Sequence, residues 1–175
     1  MNNSVYSKIA TIQQEVRKLK AFQRKGNKKV DFGKTQFDYF DLDYLLEHLL
    51  PLFEKEGLML TWETATNGQM YNTPKPMKVY NSALKQYEIQ EKPLISVPII
   101  VKLTITDIKV GQNQVIFNHC SFGTDDKDSA HAFGKASTYG RRYALYSLLN
   151  IKNGDNVEEQ AIKREKEAQI NNEVV

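Results

Sequence analysis

The sequence predicts an α+β fold in which an antiparallel β-sheet packs against helices. Two segments with apolar residues at helical spacing come first, β-rich runs separated by turn residues follow, and a third long helical segment comes after them. With 175 residues, 41% of them hydrophobic, the chain is long enough to bury one core. The single cysteine, Cys120, leaves no internal disulfide, and the composition excludes collagen-like and wholly disordered chains.

The first helix is predicted by an apolar stripe that comprises Val5, Ile9, Ile12, Val16 and Leu19. A cap at Asn3 or Ser4 is expected to start this helix, and the pair Gly26-Asn27 is expected to end it. Between residues 8 and 29, eight Lys or Arg residues stand against one Glu. Such a basic segment suits a polyanion partner such as nucleic acid, and the alternative is a solvated, lysine-rich helix.

A second helix is predicted after a short extended piece at residues 32–39. Asp41 is expected to cap this helix, and Gly57 follows its leucine-rich face and ends it. Apolar and polar residues then alternate as far as Trp62, which is the pattern of a half-buried strand. Residues 64–93 contain three of the five prolines and are predicted to form either a long hairpin arm or a mobile loop.

Two β-rich runs, 94–108 and 114–122, lie on either side of a turn-forming segment and predict a hairpin. A long helix is then expected from Asp125 to Leu149. When this helix is laid out at 3.6 residues per turn, small and apolar side chains fall on one side and a basic row on the other. The basic row comprises Lys127, His131, Lys135, Thr138 and Arg142, with Arg141 beside its end.

The basic row has the side chains that a sequence-independent nucleic-acid surface requires. Lysine, arginine and threonine contact phosphate oxygens, and aromatic rings stack on bases. Tyr139, Tyr143 and Tyr146 flank the row. In the alternative interpretation the cations only solubilise the helix and the tyrosines belong to the core.

Two motifs in the sequence resemble those of the ERF (essential recombination function) family. One contains the string Thr-Tyr-Gly-Arg-Arg-Tyr-Ala-Leu at residues 138–145, and the other runs from an aromatic segment at 37–43 to the pair Gly57-Leu58. The resemblance covers about residues 5–155. Gly140 stands where alanine is usual in the family.

The resemblance implies a phage or prophage protein that binds single-stranded DNA and anneals complementary strands without hydrolysing a nucleotide. It implies a β-β-β-α core similar to the annealing domain of the eukaryotic recombination mediators. It also implies a homo-oligomer, either a ring or a helix. A single-strand-binding protein or an exonuclease, from host or phage, is a further candidate partner.

The predicted DNA-binding residues lie on the third helix and in the N-terminal basic segment. The lysines and arginines are expected to hold phosphates, and the tyrosines are candidates for base stacking. These residues are Lys127, Lys135, Thr138, Tyr139, Arg141, Arg142 and Tyr143 on the helix, and Lys28, Lys29 and Lys34 on the opposite wall of a groove. No catalytic residue, metal ion or cofactor is expected.

Two other functions remain open from the sequence. The carboxylates near Asp125 suit a metal-dependent nuclease, although carboxylates at a helix start more often serve the helix dipole. A basic scaffold protein that binds an acidic partner is the other alternative. A cytoplasmic location in a bacterial host and no membrane partner are expected, since no apolar run approaches about 18 residues. Residues 1–152 are expected to form the domain, and 153–175 an acidic, flexible tail.

Overall fold

The predicted succession of helices and strands is present in the computed structural model, which describes residues 4–23, 26–32, 35–66, 68–111, 113–126 and 128–151. Its elements are α1 (Val5–Lys18), a 3₁₀ helix (Lys20–Phe22), β1 (Lys28–Phe32), β2 (Thr35–Tyr39), α2 (Leu42–Lys55), β3 (Leu58–Ala65), β4 (Tyr71–Asn81), β5 (Gln86–Asp107), β6 (Gln114–Asp125) and α3 (Ser129–Leu149). The α+β class with an antiparallel sheet is confirmed.

The 22-residue strand β5 is the central strand of the main sheet. β6 pairs with one edge of β5 between Ile95 and Thr106, and β3 pairs with the other edge between Ile100 and Asp107. Both pairings are antiparallel. α3 follows β6 and packs across β5 and β6. When β4 is set aside, the remaining strands of the sheet and α3 follow one another as β3, β5, β6 and α3, which is the β-β-β-α core that the family resemblance implies.

β4 and the first half of β5 form a two-stranded arm. Their register runs from Tyr71 opposite Ser96 to Asn81 opposite Gln86. β6 reaches back along β5 only as far as Ile95. The arm therefore extends beyond the three-stranded part of the sheet. Of the two structures predicted for this proline-containing segment, the hairpin arm is confirmed.

The three helices cover one face of the sheet and bury the main hydrophobic core. Ser4 and Asp41 cap α1 and α2, as predicted, by accepting hydrogen bonds from Ser7 N–H (3.2 Å) and Tyr44 N–H (2.8 Å). Successive residues of β5 alternate between the two faces of the sheet. The buried core includes Val5, Ile9, Ile12 and Val16 of α1, Leu45, Leu49 and Phe53 of α2, Leu103 and Ile105 of β5, and Leu145 and Leu149 of α3.

The first helix ends earlier than predicted. α1 stops at Lys18, and Leu19 has an extended backbone with φ −68° and ψ 119°. The 3₁₀ helix that follows brings the ring of Phe22 edge-on to Phe40, with ring centroids 5.3 Å apart. This aromatic contact turns the chain toward the core, so the expected helix end at Gly26 is wrong.

The third helix begins later than predicted. Asp128, and not Asp125, caps it, because the Asp128 carboxylate accepts a hydrogen bond of 2.8 Å from the His131 N–H. Asp125 is instead the last residue of β6, which runs past the expected end at Phe122. The Asp125 side chain is buried and pairs with Lys135 on α3. This pairing explains why Asp125 belongs to the strand and does not cap the helix.

Candidate nucleic-acid interface

Two glycines allow α3 to lie close on the sheet. A Cβ atom added to Gly123 of β6 would lie 2.1 Å from the carbonyl oxygen of Ala132. A Cβ atom added to Gly140 would lie 2.5 Å from a methyl group of Val101. Both contacts are too short for any side chain, so these positions set the distance between the helix and the sheet. The opposite side of α3 is left facing the segment that joins β2 to α2.

A groove of about 610 Å³ lies between α3 and this segment. It contains much of the predicted basic row together with aromatic side chains. Its walls are formed by Tyr39, Asp41, Leu42, Ala130, His131, Gly134, Lys135, Thr138, Tyr139 and Arg142. The structure therefore brings Lys135, Thr138, Tyr139 and Arg142, four of the predicted residues, into one groove, which we call the α3 groove.

Arg142 lies at the base of the α3 groove and is only 4% exposed. Its guanidinium carbon lies 4.5 Å from the ring centroid of Tyr39, 4.6 Å from that of Tyr139 and 5.1 Å from that of Tyr143. The expectation that this arginine faces solvent is wrong. A guanidinium is planar and weakly hydrated, so stacked aromatic rings can replace its water at a low cost.

Lys135 lies at the edge of the groove with about half of its side chain exposed. Its Nζ donates a hydrogen bond of 2.5 Å to the buried carboxylate of Asp125 and one of 3.3 Å to the carbonyl oxygen of Thr124. The hydrogen bond to Asp125 raises the pKa of Lys135 above its usual value, so the ammonium stays charged at neutral pH. Lys135 is thus a fixed positive charge with an accessible side.

Two further basic side chains of this region also lie beside carboxylates. Lys28 Nζ lies 3.7 Å from Asp41 Oδ2, and His131 Nδ1 lies 2.6 Å from Asp128 Oδ2. Hydrogen bonds from the backbone N–H and the ring of His131 hold the pKa of Asp128 below its usual value. With Lys135 paired as well, the groove is less positive than a count of its basic residues indicates.

Sequence reasoning did not select Tyr39 as a site residue, although it stands in one of the two family-like motifs. Tyr39 is the last residue of β2, and this strand ends at the groove. The following residue, Phe40, is hydrogen-bonded to α3. The Tyr146 hydroxyl accepts a hydrogen bond from Phe40 N–H and donates one to Phe40 C=O, both at 2.9 Å. Tyr39 is therefore placed against Arg142 by the junction of β2 and α2, a contact between distant parts of the chain that spacing along one helix cannot reveal.

Arg141 lies on the other side of α3 and does not line the α3 groove. Its guanidinium carbon lies 5.9 Å from the ring centroid of Trp62 on β3. Its Nε is buried and has no hydrogen-bond partner within the part of the chain that the structure describes. The two neighbouring arginines, expected to act together, therefore face different surroundings.

The remaining predicted residues are dispersed. Tyr143 is half-buried and stacks beside His119, with ring centroids 6.2 Å apart, and burial holds the pKa of His119 below its usual value. Lys29 is exposed and neighbours Lys28 along β1, so their side chains leave the strand on opposite faces. Lys34 and Lys127 lie outside the described residues, as does the tail at 153–175.

Comparison with known protein families identifies the family of the chain. The family model described as the ERF superfamily matches residues 5–174, nearly the whole chain. The chain belongs to the ERF superfamily. Membership is consistent with a role in phage recombination or annealing, and ERF proteins are generally not catalytic enzymes. Searches of curated proteins and of solved structures find no match.

Other features of this ERF protein bear on the alternatives left open by the sequence. Within the described ranges, no three His, Cys, Asp or Glu side chains come together in a group that could hold a metal ion. The acidic residues near the start of α3 have other partners, since Asp128 caps the helix and Asp125 pairs with Lys135. No helix of the described residues is long and apolar enough to cross a membrane.

Proposed function

We propose that the protein binds single-stranded DNA in the α3 groove and promotes annealing of complementary strands without a nucleotide cofactor. The observation that carries this proposal is the position of Lys135 and Tyr139 along one groove. A fixed, half-exposed ammonium and a tyrosine ring that is 42% exposed supply a phosphate contact and a stacking surface. Membership in the ERF superfamily supports the same function.

The electrostatics of the groove suit annealing, in which strands must be held and released. A phosphate that approaches Lys135 meets an ammonium already hydrogen-bonded to Asp125, so the carboxylate offsets part of the attraction. Lys28 is held near Asp41 in a similar way. Moderate attraction neutralises the repulsion between two strands and leaves each strand free to exchange partners.

Within this proposal Arg142 is a positioning residue. It is nearly inaccessible to solvent and lies under the ring of Tyr139, so it fixes the orientation of that ring. Tyr139 then offers its outer face to a base, and Thr138 and Lys28 are secondary contacts for the backbone of the strand. Base stacking on an aromatic ring contributes about 1–3 kcal/mol.

The same proposal includes a ring-shaped or helical homo-oligomer, with a single-strand-binding protein or an exonuclease as a further partner. It places the annealing domain at residues 1–152 and treats 153–175 as an acidic tail. We also propose that the protein acts in the cytoplasm of a bacterial host, where phage DNA recombines.

The direct test measures annealing of two dye-labelled complementary oligonucleotides by energy transfer, with EDTA present and no nucleotide. We expect the protein to raise the rate well above the spontaneous rate. In Tyr139→Leu, binding of single-stranded DNA should weaken roughly 5- to 150-fold, which corresponds to the stacking free energy. Tyr139→Phe keeps the ring and should bind like the wild type.

A second variant tests the phosphate contact. Lys135→Gln should reduce the slope of log affinity against log salt by about 0.7, the value for one lost contact to a single strand. Lys18→Gln is the matched control, because Lys18 is also a lysine paired with a carboxylate but lies on α1. Thermal melting of each variant establishes that it is folded. An unchanged affinity and salt slope in both groove variants would rule out the α3 groove.

A further inference from the structure

The arm has one apolar and one polar face. Residues opposite each other on antiparallel strands share a face, so the register defines both. One face carries the pairs Tyr80–Tyr87, Lys78–Ile89, Pro76–Glu91 and Pro74–Pro93. The other face is mainly polar and carries Gln86, Glu88, Gln90 and Lys92 from β5, with Asn81, Val79 and Lys75 of β4 opposite three of them. Tyr87 and Ile89 on the apolar face are 70% and 72% exposed.

The apolar face of the arm has no cover within its own chain. Of the described elements, only β5 packs substantially on β4. Isolated two-stranded ribbons are marginally stable in water, so an arm that extends about 30 Å gains from a contact on its apolar face. Pro74 and Pro76 in β4 lack N–H donors, which makes this edge a poor template for an added strand. The face of the arm, and not its edge, is therefore the surface to be covered.

A second apolar surface lies on the main sheet, on the side opposite the helices. We call it the open face. Met59 of β3, Ile100 of β5, and Ile116 and Phe122 of β6 each point there with about half of the side chain exposed. A shallow cavity of about 590 Å³ on this face is lined by Met59 and Ile116 among others. These side chains form two apolar patches, Met59 with Ile116 and Ile100 with Phe122, and the pair Glu63 and Lys102 lies between them. Exposed apolar patches on a sheet that no helix covers are candidate interaction sites.

We propose that the apolar face of the arm of one copy docks on the open face of the sheet of the next copy. One contact then covers both surfaces. Seven large side chains take part, Tyr80, Tyr87 and Ile89 on the arm and Met59, Ile100, Ile116 and Phe122 on the sheet. At about 100 Å² each they supply about 700 Å² of apolar area, which is roughly the apolar share of an interface of about 1,200 Å² in total, the lower end of the standard size.

The charged groups on the two surfaces do not oppose docking, because neither surface has a net charge. The arm carries Lys78 and Glu91 on its apolar face. The open face carries Glu63 and Lys102, which form an ion pair of 3.1 Å across β3 and β5. Each surface therefore has one cation and one carboxylate, and the four groups can form an alternating network on docking.

The geometry of the contact predicts the type of assembly. By strand alternation, the apolar face of the arm continues the side of β5 that faces the helices, whereas the receiving surface is the opposite side of the sheet. The contact joins two different surfaces, so it is heterologous and generates a closed ring or an open helix. On the receiving copy the α3 groove stays uncovered, because it lies on the helix side of the sheet.

The first experiment measures the molar mass of the full chain by light scattering. We expect the wild type to form multi-subunit particles, and Ile89→Glu on the arm and Ile116→Glu on the open face each to give monomers. Gln90→Glu adds the same charge on the polar face of the arm and should leave the assembly intact. A monomeric wild type, or an Ile89→Glu variant that still forms full-size particles, would overturn the proposal.

Mixing the two monomeric variants tests the pairing of the surfaces. Ile89→Glu keeps an intact open face and Ile116→Glu keeps an intact arm, so an equimolar mixture should form dimers that grow no further. A mixture that stays monomeric would contradict arm-to-sheet docking. If Ile89→Glu assembles normally but loses affinity for single-stranded DNA, the arm is a nucleic-acid surface and the proposal fails.

A cross-linking experiment avoids the risk that a buried charge unfolds the protein. Cys120 is exposed on β6, and the alternation along that strand places it on the open face. Ile89→Cys treated with a short bis-maleimide should give a ladder of covalent multimers in steps of 20.1 kDa. The ladder should disappear when Cys120→Ser is added. Gln90→Cys is the control, and an equally strong ladder from it would exclude docking through the apolar face.

Discussion

The hydroxyl group of Tyr146 makes two hydrogen bonds with one residue, Phe40. It accepts from the N–H of Phe40 and donates to the C=O of the same residue, and both residues are buried. Phe40 lies between β2 and α2, outside the regular hydrogen-bond ladders. A single phenol thus hydrogen-bonds both the N–H and the C=O of a buried residue.

Tyr146→Phe should lower the free energy of unfolding by about 1–3 kcal/mol, because it removes the partner of a buried donor and a buried acceptor while leaving the ring in place. Urea denaturation measures this loss. Tyr139→Phe removes a hydroxyl from a partly exposed ring and should change the free energy by less than about 0.5 kcal/mol. Equal stabilities of the two variants would show that the Phe40 contacts contribute nothing.

Arg142 shows what the sequence could reveal about single residues. The helical spacing correctly placed it on one side of α3 with Lys135 and Thr138, and these residues do line one groove. Its burial could not be predicted in this way, since the ring of Tyr39 that covers it comes from β2. A pattern within one helix carries no information about a side chain supplied by another element.

At the scale of elements, the packing of α3 on the sheet depends on close backbone approach. At Gly123 the atoms that a Cβ would meet first are the carbonyl oxygen of Ala132 and the amide nitrogen of Ala136, both in the backbone of α3. Neither can move unless the helix moves. Gly134, on the outer side of the same helix, has nothing within 4 Å of such a Cβ.

Two alanine substitutions should therefore have opposite effects. Gly123→Ala should destabilise the protein by about 1–3 kcal/mol, because α3 must shift away from β6. Gly134→Ala should stabilise it by about 0.5–1 kcal/mol, since alanine is the better residue inside an exposed helix. Thermal and urea unfolding of both variants measure the difference. A Gly123→Ala variant as stable as Gly134→Ala would mean that the helix can move without cost.

The elements themselves were partly predictable. The apolar stripe of α1 and the caps at Ser4 and Asp41 follow from local chemistry, and the structure confirms them. The ends of α1 and β6 do not follow from local chemistry. They depend on residues distant in the sequence, because Phe22 packs on Phe40 and the buried Asp125 pairs with Lys135. The sequence predicted a hairpin arm and a strand at 94–108, but it did not predict that one strand, β5, runs through both.

At the scale of the whole molecule, one ion pair connects the N-terminal helix to the end of the central strand. Lys8 Nζ lies 2.6 Å from Asp107 Oδ2, and both side chains are largely excluded from solvent. The hydrogen bond from Lys8 holds the pKa of Asp107 below its usual value. Because the folded state favours the ionised carboxylate, this pair contributes stability at pH values above the pKa of the unfolded chain, which is about 3.9.

This contribution should disappear as the pH falls from about 5 through the lowered pKa of folded Asp107. In Asp107→Asn the proton uptake is absent, so the free energy of unfolding should decline less steeply with acidification than in the wild type. Urea denaturation at a series of pH values from about 5 to 2 gives both slopes. Identical slopes would mean that Asp107 titrates equally in the folded and unfolded chains.

The fold class was predictable for the whole chain because hydrophobic periodicity changes from helical to strand spacing and back. The electrostatic character of the groove could not be predicted from the sequence. A count along the sequence records Lys28, His131 and Lys135 as basic residues, and only the fold shows that Asp41, Asp128 and Asp125 lie beside them. Family membership, by contrast, was readable from residues 138–145 and 37–58.

The uninterrupted course of β5 has a consequence for the curvature of any assembly. One strand runs from the turn of the arm through the whole sheet, so the direction of the arm is set by the bend and twist of that strand. Each copy would then add the same rotation to the next. Substitutions at Pro93 or Pro98, between the arm and the sheet, would alter that rotation and thereby the number of copies that closes a circle, although the seven large side chains of the contact stay the same.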